Sequence, residues 1–163
     1  MNKKHLAIGL IIVVISIILD QVTKMLALMY LKSGSIVVIE DFFNLVLHYN
    51  NGAAWSSFAG NFGFLFSITI VSIIAFGFFF KSVNFNKKLI YSLGISLMLG
   101  GLFGNFIDRI FMDGHVVIDF LSFTFGSYRF PTFNIADSCL VVGVVLFVID
   151  ILLLEGKRKR EEV

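Results

Sequence analysis

The sequence predicts a membrane-embedded all-α bundle of four transmembrane helices with a small extracytoplasmic β-sheet and loop subdomain. Three observations predict it. First, the chain of 163 residues is 58% hydrophobic and only 15% charged, against roughly a quarter charged in an ordinary soluble domain. Its mean hydropathy is +0.93. A water-soluble domain of this length cannot hide so much apolar surface, because folding buries only part of what the unfolded chain exposes. Second, four apolar runs reach the roughly 20 residues that cross a bilayer as a helix. Third, Lys and Arg are divided unevenly between the segments that join those runs. Composition thus excludes a soluble globular enzyme, a disordered chain and a disulfide scaffold. The single cysteine, Cys139, allows no internal disulfide and no cysteine-based zinc cage.

The whole chain, 1–163, reads as one integral-membrane domain, without an internal repeat or a low-complexity linker. The first span, about 6–31, is apolar from Leu6 to Leu19 and continues as a helical pattern through Asp20, Gln21 and Lys24. Lys3 and Lys4 before it imitate a signal peptide, but no small-x-small cleavage site follows, so it is expected to be a retained span. Ser35 to Ile39 and Phe42 to Tyr49 are rich in β-branched and aromatic residues and read as two short strands, closed by turn chemistry at Asn50-Asn51-Gly52. The second span, 62–80, has no charge, and the third covers about 89–107. Val116, Val117 and Ile118, with aromatics, Gly114 and Gly126, suggest more strand and loop over 108–134. The fourth span, about 135–154, carries Asp137 near its start and Asp150 near its end, the latter expected at the interface.

An even number of spans puts both termini on one side. That side carries Lys3, Lys4, Lys81, Lys87, Lys88, Lys157, Arg158, Lys159 and Arg160; the other carries Lys32, Arg109 and Arg129. The positive-inside rule places the termini and the 81–88 loop in the cytoplasm, and residues 32–61 and 108–134 outside. The Lys157 to Arg160 run beside a span is then a cytoplasmic anchor, with no nucleic-acid partner expected.

On this topology, ionisable residues distant in sequence fall at one depth, near the outer interface: Asp20 and Lys24, Asp108 and Arg109, Asp119, and Asp137 one turn after Asn134. An acid at such depth costs roughly 2.5–3.5 kcal/mol on insertion scales and needs a partner or a purpose. Each has a plain explanation. Asp20 and Lys24 are spaced to pair on one helix face. Arg109 could hold a lipid phosphate, Asp137 or Asn134 could cap the fourth helix, and Asp119 could be a solvated loop acid. Taken together, Asp119 and Asp137 could instead share a proton. One carboxylate would then activate water while the other hydrogen-bonds the carbonyl under attack. This is amide hydrolysis without metal, cofactor or covalent intermediate. Rival chemistries lack their motifs: there is no His-Glu-x-x-His, no Gly-x-Ser-x-Gly and no Walker-type glycine loop. His48 and His115 stand alone and read as surface hydrogen-bonders. A small proton-linked transporter or channel subunit is the alternative from another class, although such proteins usually place their acids near the midplane in repeated halves. A non-catalytic subunit with polar helix contacts is a third reading.

Five stretches, in order, resemble the signatures of the lipoprotein signal peptidases (signal peptidase II). They are Asp20-Gln21 with Lys24; Asn51-Gly52-Ala53-Ala54-Trp55; Gly104-Asn105-Phe106-Ile107-Asp108-Arg109; Val117-Ile118-Asp119-Phe120; and Phe133-Asn134-Ile135-Ala136-Asp137-Ser138. The resemblance implies a four-span bacterial membrane aspartyl protease. Such an enzyme removes the signal peptide of prolipoproteins just before a diacylglyceryl-modified cysteine. It implies Asp119 and Asp137 as catalytic residues. Asn51, Gly52, Asn105, Arg109, Asn134 and Ala136 become substrate-positioning or supporting residues, and Asp20, Lys24 and Asp108 organise the site. Implied partners are lipid-modified prolipoproteins and membrane lipids, with the chain a monomer in the bacterial cell membrane. Two departures stand out. The Asp108 to Asp119 stretch is longer than the family pattern near Gly114 to Ile118, leaving Asp113 as the other register for Asp119. Trp55 stands where Phe is common.

Overall fold

The computed structural model describes residues 3–52, 57, 58 and 60–161. Ala53, Ala54 and Trp55 of the second signature therefore lie outside the described residues. Among those described, four helices are long and apolar enough to cross a membrane. They are α1 (Lys3–Tyr30), α2 (Phe62–Phe80), α3 (Leu89–Phe111) and the run that begins with α4 (Ile135–Ile149) and continues to Leu154. α2 starts where Asn61 accepts a hydrogen bond from the Phe64 amide at 3.1 Å, a side-chain N-cap. α3 extends a turn beyond the apolar run that foretold it, because Asp108 is buried among partners and does not end the helix in the headgroups.

α3 is the central helix and packs against α1, α2 and α4. Without much hydrophobic drive between helices in lipid, close approach depends on small residues. Ser92, Gly94, Ser96, Gly100, Gly101 and Gly104 are all buried on α3. A β-carbon at Gly94 would lie 2.9 Å from the Gly143 carbonyl of α4, and one at Gly104 would lie 2.6 Å from a carboxylate oxygen of Asp20 on α1. Val13, Phe80, Val83, Ile95 and Leu99 form the apolar core between the helices.

α4 passes at Asp150–Leu154 into a single π-helical turn before the short α5 (Glu155–Glu161). Asp150, expected at the interface, is 1% exposed. Arg158 reaches back to grip it bidentately at 2.7 and 2.6 Å, which is how an acid at that position can be buried.

The two segments outside the spans make one antiparallel sheet in the order β1-β2-β3-β4. Its strands are β1 (Ile36–Ile39), β2 (Phe43–Asn50), β3 (Val117–Phe125) and β4 (Tyr128–Arg129). It sits at the end of the bundle where α1 and α3 finish and α2 and α4 begin. Ala27 of α1 and Leu31 just after it pack there against Phe120 of β3, with Leu45 and Leu47 of β2 around them. The longer link from α3 to β3 is taken up by a tight turn at Asp113–His115. Gly114 (φ 72°) and His115 (φ 57°) adopt left-handed conformations in it.

Candidate active site

Five elements deliver polar side chains to the junction of bundle and sheet. α1 brings Asp20, Gln21 and Lys24 on one face. Lys24 is 2% exposed, and its ammonium lies 2.7 Å from Asp20 and 2.9 Å from Asp108 of α3. It also donates to the Asn105 side chain at 3.0 Å. Gln21 donates to Asp20 (3.2 Å), to Asp108 (2.9 Å) and to the Gly104 carbonyl (3.1 Å). The same two acids also hold the backbone. Asp20 accepts from the Ala136 amide of α4 at 2.8 Å, and Asp108 accepts from the Ile118 amide of β3 at 3.0 Å. The Asp20–Lys24–Asp108 ion cluster thereby fixes α1, α3, α4 and β3 relative to one another.

Beside it lies a second carboxylate pair, on β3 and α4. Asn134 precedes α4 as its N-cap: its side-chain oxygen accepts from the Asp137 amide (2.9 Å), while Asp137 accepts from the Asn134 amide (3.2 Å). This reciprocal capping box fixes the Asp137 carboxylate. The Asn134 side-chain amide, fully buried, donates to Asp119 at 2.7 Å, to the Ile118 carbonyl at 3.2 Å and to Asn105 at 3.0 Å. Asn105 in turn donates to Asp137 at 2.7 Å. Asn134 and Asn105 therefore bridge Asp119 and Asp137, supplying donors without adding charge. Asn50, at the end of β2, donates to the other Asp119 oxygen at 2.9 Å. No buried side-chain nitrogen or oxygen among the described residues lacks a partner.

Burial pushes Asp119 up to about 7, and the neighbouring Asp137 adds to the rise; hydrogen bonds from Asn50 and Asn134 and the charge of Lys24 hold it back. A buried carboxylate that exchanges its proton near neutrality, tied to a second carboxylate, suits general acid–base hydrolysis. Among the described residues no three or more His, Cys, Asp or Glu side chains gather as a metal cage. The cation between Asp20 and Asp108 is Lys24 itself.

Asp20, Lys24, Asn105, Asp108, Asp119, Asn134, Ala136 and Asp137 are all brought together. Of the two registers left open for the β3 acid, Asp119 is buried in the cluster and Asp113 is exposed in the turn. Arg109 lies at the margin, donating to the Gly52 carbonyl at 3.1 Å and more distantly to the Asn105 carbonyl at 3.4 Å. Asn51 is exposed, and its carbonyl accepts from Gly60 at 3.2 Å; its neighbour Asn50 is the residue that reaches Asp119. Asn50, read as turn chemistry, and Gln21, part of the first signature, were given no site role from sequence. Asn50 was legible in principle, since extending β2 by one residue places it on the same strand face as His48.

Helices that bury charged and amide groups against a sheet at one end of an apolar bundle define a polytopic membrane enzyme equipped for acid–base chemistry. The signal peptidase (SPase) II family model matches residues 12–153. Lipoprotein signal peptidases of Staphylococcus aureus strains JH9 and Newman are each 43% identical over 166 residues, covering 100% of this chain and 99% of theirs. Two solved structures, both described as bacterial membrane enzymes, superpose closely. One has a TM-score of 0.80 at 42% identity, covering 90% of this chain and 88% of its own. The other has 0.78 at 41%, covering 91% and 94%. The chain belongs to the signal peptidase II family. It is a protease of a multi-pass bacterial membrane type, which decides against the transporter and the non-catalytic subunit.

Proposed function

We propose that this signal peptidase uses Asp119 and Asp137 as its catalytic pair to cleave the signal peptide from prolipoproteins, just before a diacylglyceryl-modified cysteine. The observation that carries the reading is the amide bridge: Asn134 contacts both acids directly, and Asn105 links the two contacts. In the resting pair one carboxyl holds a proton. The ionised one takes a proton from water as the water attacks the scissile carbonyl, and the protonated one hydrogen-bonds the developing oxyanion. The collapsing tetrahedral intermediate then expels the amine, which receives a proton from the pair. Arg109 and Gly52 position substrate at the margin, together with Asn51, while Asp20, Lys24 and Asp108 keep the scaffold rigid.

The uneven distribution of Lys and Arg supports cytoplasmic termini and a site near the outer leaflet, where a lipid-anchored cysteine holds its acyl chains. The chain works as one integral-membrane unit and as a monomer. The lipid anchor contributes to positioning, and positioning supplies much of the rate in such reactions. The test is a mobility-shift assay of precursor to mature form with purified protein in detergent. Asp119→Asn and Asp137→Asn are expected to lose about 10²–10⁴ or more in rate, and Asp113→Asn to keep it. An unmodified precursor is expected to be cleaved far more slowly than the lipid-modified one. Near-normal turnover by either dyad variant refutes the assignment. External labelling of a Lys87→Cys variant refutes the topology.

A further inference from the structure

We infer that His48, which lies outside the amide-bridged cluster, is a positioning residue whose imidazolium charge favours the ionised form of Asp119 from across the sheet. The inference rests on the reading of Asp119 and Asp137 as the catalytic pair.

Its basis is a break in the strand register. From Phe43↔Phe123 through Leu45↔Leu121 the pairing of β2 and β3 is regular, and continued unbroken it would set Leu47 opposite Asp119. A bulge between Leu45 and His48 inserts one residue, so that His48 is the partner of Asp119. Because strand side chains alternate between faces, one inserted residue exchanges which of them face each side. Leu47 packs with the apolar cluster of Ala27, Leu31 and Phe120. His48 takes the polar face, its Nδ1 4.0 Å from Asp119 Oδ2. That oxygen is the one to which Asn50 donates. The His48 side chain is 52% exposed and that of Asp119 is 1% exposed, so one end of the contact reaches solvent while the other is closed off.

The other charged groups acting on Asp119 come from the helices: Asp137 from α4, Lys24 from α1 and Arg109 from α3. Lys24 is already engaged by Asp20 and Asp108. His48 is thus the ionisable side chain approaching from β2, and its ring adds a positive charge there when protonated. Its effect falls on the loss of the proton that Asp119 holds, the second ionisation of the dyad, which the alkaline limb of kcat/KM reports.

The experiment compares the alkaline limb for the full-length protein and its His48→Gln and His48→Lys variants, using a lipid-modified prolipoprotein from mildly acidic to alkaline pH. For a half-exposed pair the expected displacement is about half a pH unit. His48→Gln moves the limb up, and His48→Lys, with a permanent charge, leaves it in place or moves it down. The separation between the two shrinks at high salt. Limbs that coincide, or that move in the same upward direction for both variants, overturn the inference. Failure of the underlying reading is distinguishable: Asp119→Asn or Asp137→Asn would then keep their cleavage, whatever the His48 variants do.

Discussion

Lys24→Met tests whether the ion cluster at the head of α1 holds the site together electrostatically. In the native protein one ammonium, 2% exposed, compensates two carboxylates at 2.7 and 2.9 Å that are 0% and 4% exposed. Methionine fills similar space but leaves Asp20 and Asp108 facing each other without a cation. Removing one partner of a buried pair costs about 3–5 kcal/mol, because the remaining charge is uncompensated. For a chain of this size each kcal/mol moves the midpoint by about 2–4 °C, so a fall of about 6–20 °C is expected. Adding Asp20→Asn removes one of the two stranded charges. Asp108 keeps its bonds from Gln21 and the Ile118 amide, so the double variant should recover part of the loss. The assay is thermal unfolding of purified protein in one detergent, followed by circular dichroism. A Lys24→Met midpoint within a degree of wild type, or a double variant less stable than the single one, refutes the electrostatic account.

Two further predictions concern Asp119. Asn50→Ala removes the hydrogen bond that favours its ionised form, so the alkaline limb of cleavage should rise by about one pH unit, while Asn51→Ala should leave it unmoved; a pH–rate profile decides between the two adjacent asparagines. Asp119 also links stability to pH: it is held near 7 in the folded protein and returns to about 3.9 when unfolded. The folded state therefore binds more protons between those values, and stability falls as pH rises through them. Asp119→Asn should make the protein more stable than wild type at pH 8, by up to about 4 kcal/mol, with the gap closing towards pH 4; denaturation midpoints at the two pH values measure it.

The spans were legible because a bilayer imposes a length and a composition that survive in the bare sequence. β1 and β2 were legible from their β-branched and aromatic runs and the turn after them. Side-chain convergence was readable only as depth: topology placed Asp20, Asp108, Asp119 and Asp137 at one level, but nothing in their spacing says which touch. The bulge in β2 was invisible, since one inserted residue leaves the hydrophobic pattern of Phe43 to Asn50 almost unaltered. It set His48 opposite Asp119, where the bare sequence shows only an isolated surface histidine. The partner of Asp150 was hidden for a related reason: Arg158 lies eight residues on, past a π-helical turn, and was read with its neighbours as a charged anchor.

The choice of asparagine at positions 105 and 134 follows from charge balance. Among the described residues, the cluster contains the carboxyls of Asp20, Asp108, Asp119 and Asp137, and the cations that act on it are Lys24 and Arg109. Fully ionised, it would carry excess negative charge in a region from which water is largely excluded, a state such surroundings resist. A second permanent cation buried among the helices would remove the excess, but on the proposed pairing it would also hold Asp119 ionised and empty the pair of the proton it shares. Amides avoid both outcomes: Asn134 and Asn105 satisfy carboxylate oxygens at 2.7 Å each and leave the charge deficit in place. The protein relieves that deficit by holding a proton, and burial assigns Asp119 a proton affinity near neutrality. The same arrangement that makes the cluster unfavourable when fully ionised thus keeps one acid and one base available together. Lys24, tied to Asp20 and Asp108 and donating to Asn105, acts on Asp119 through its field.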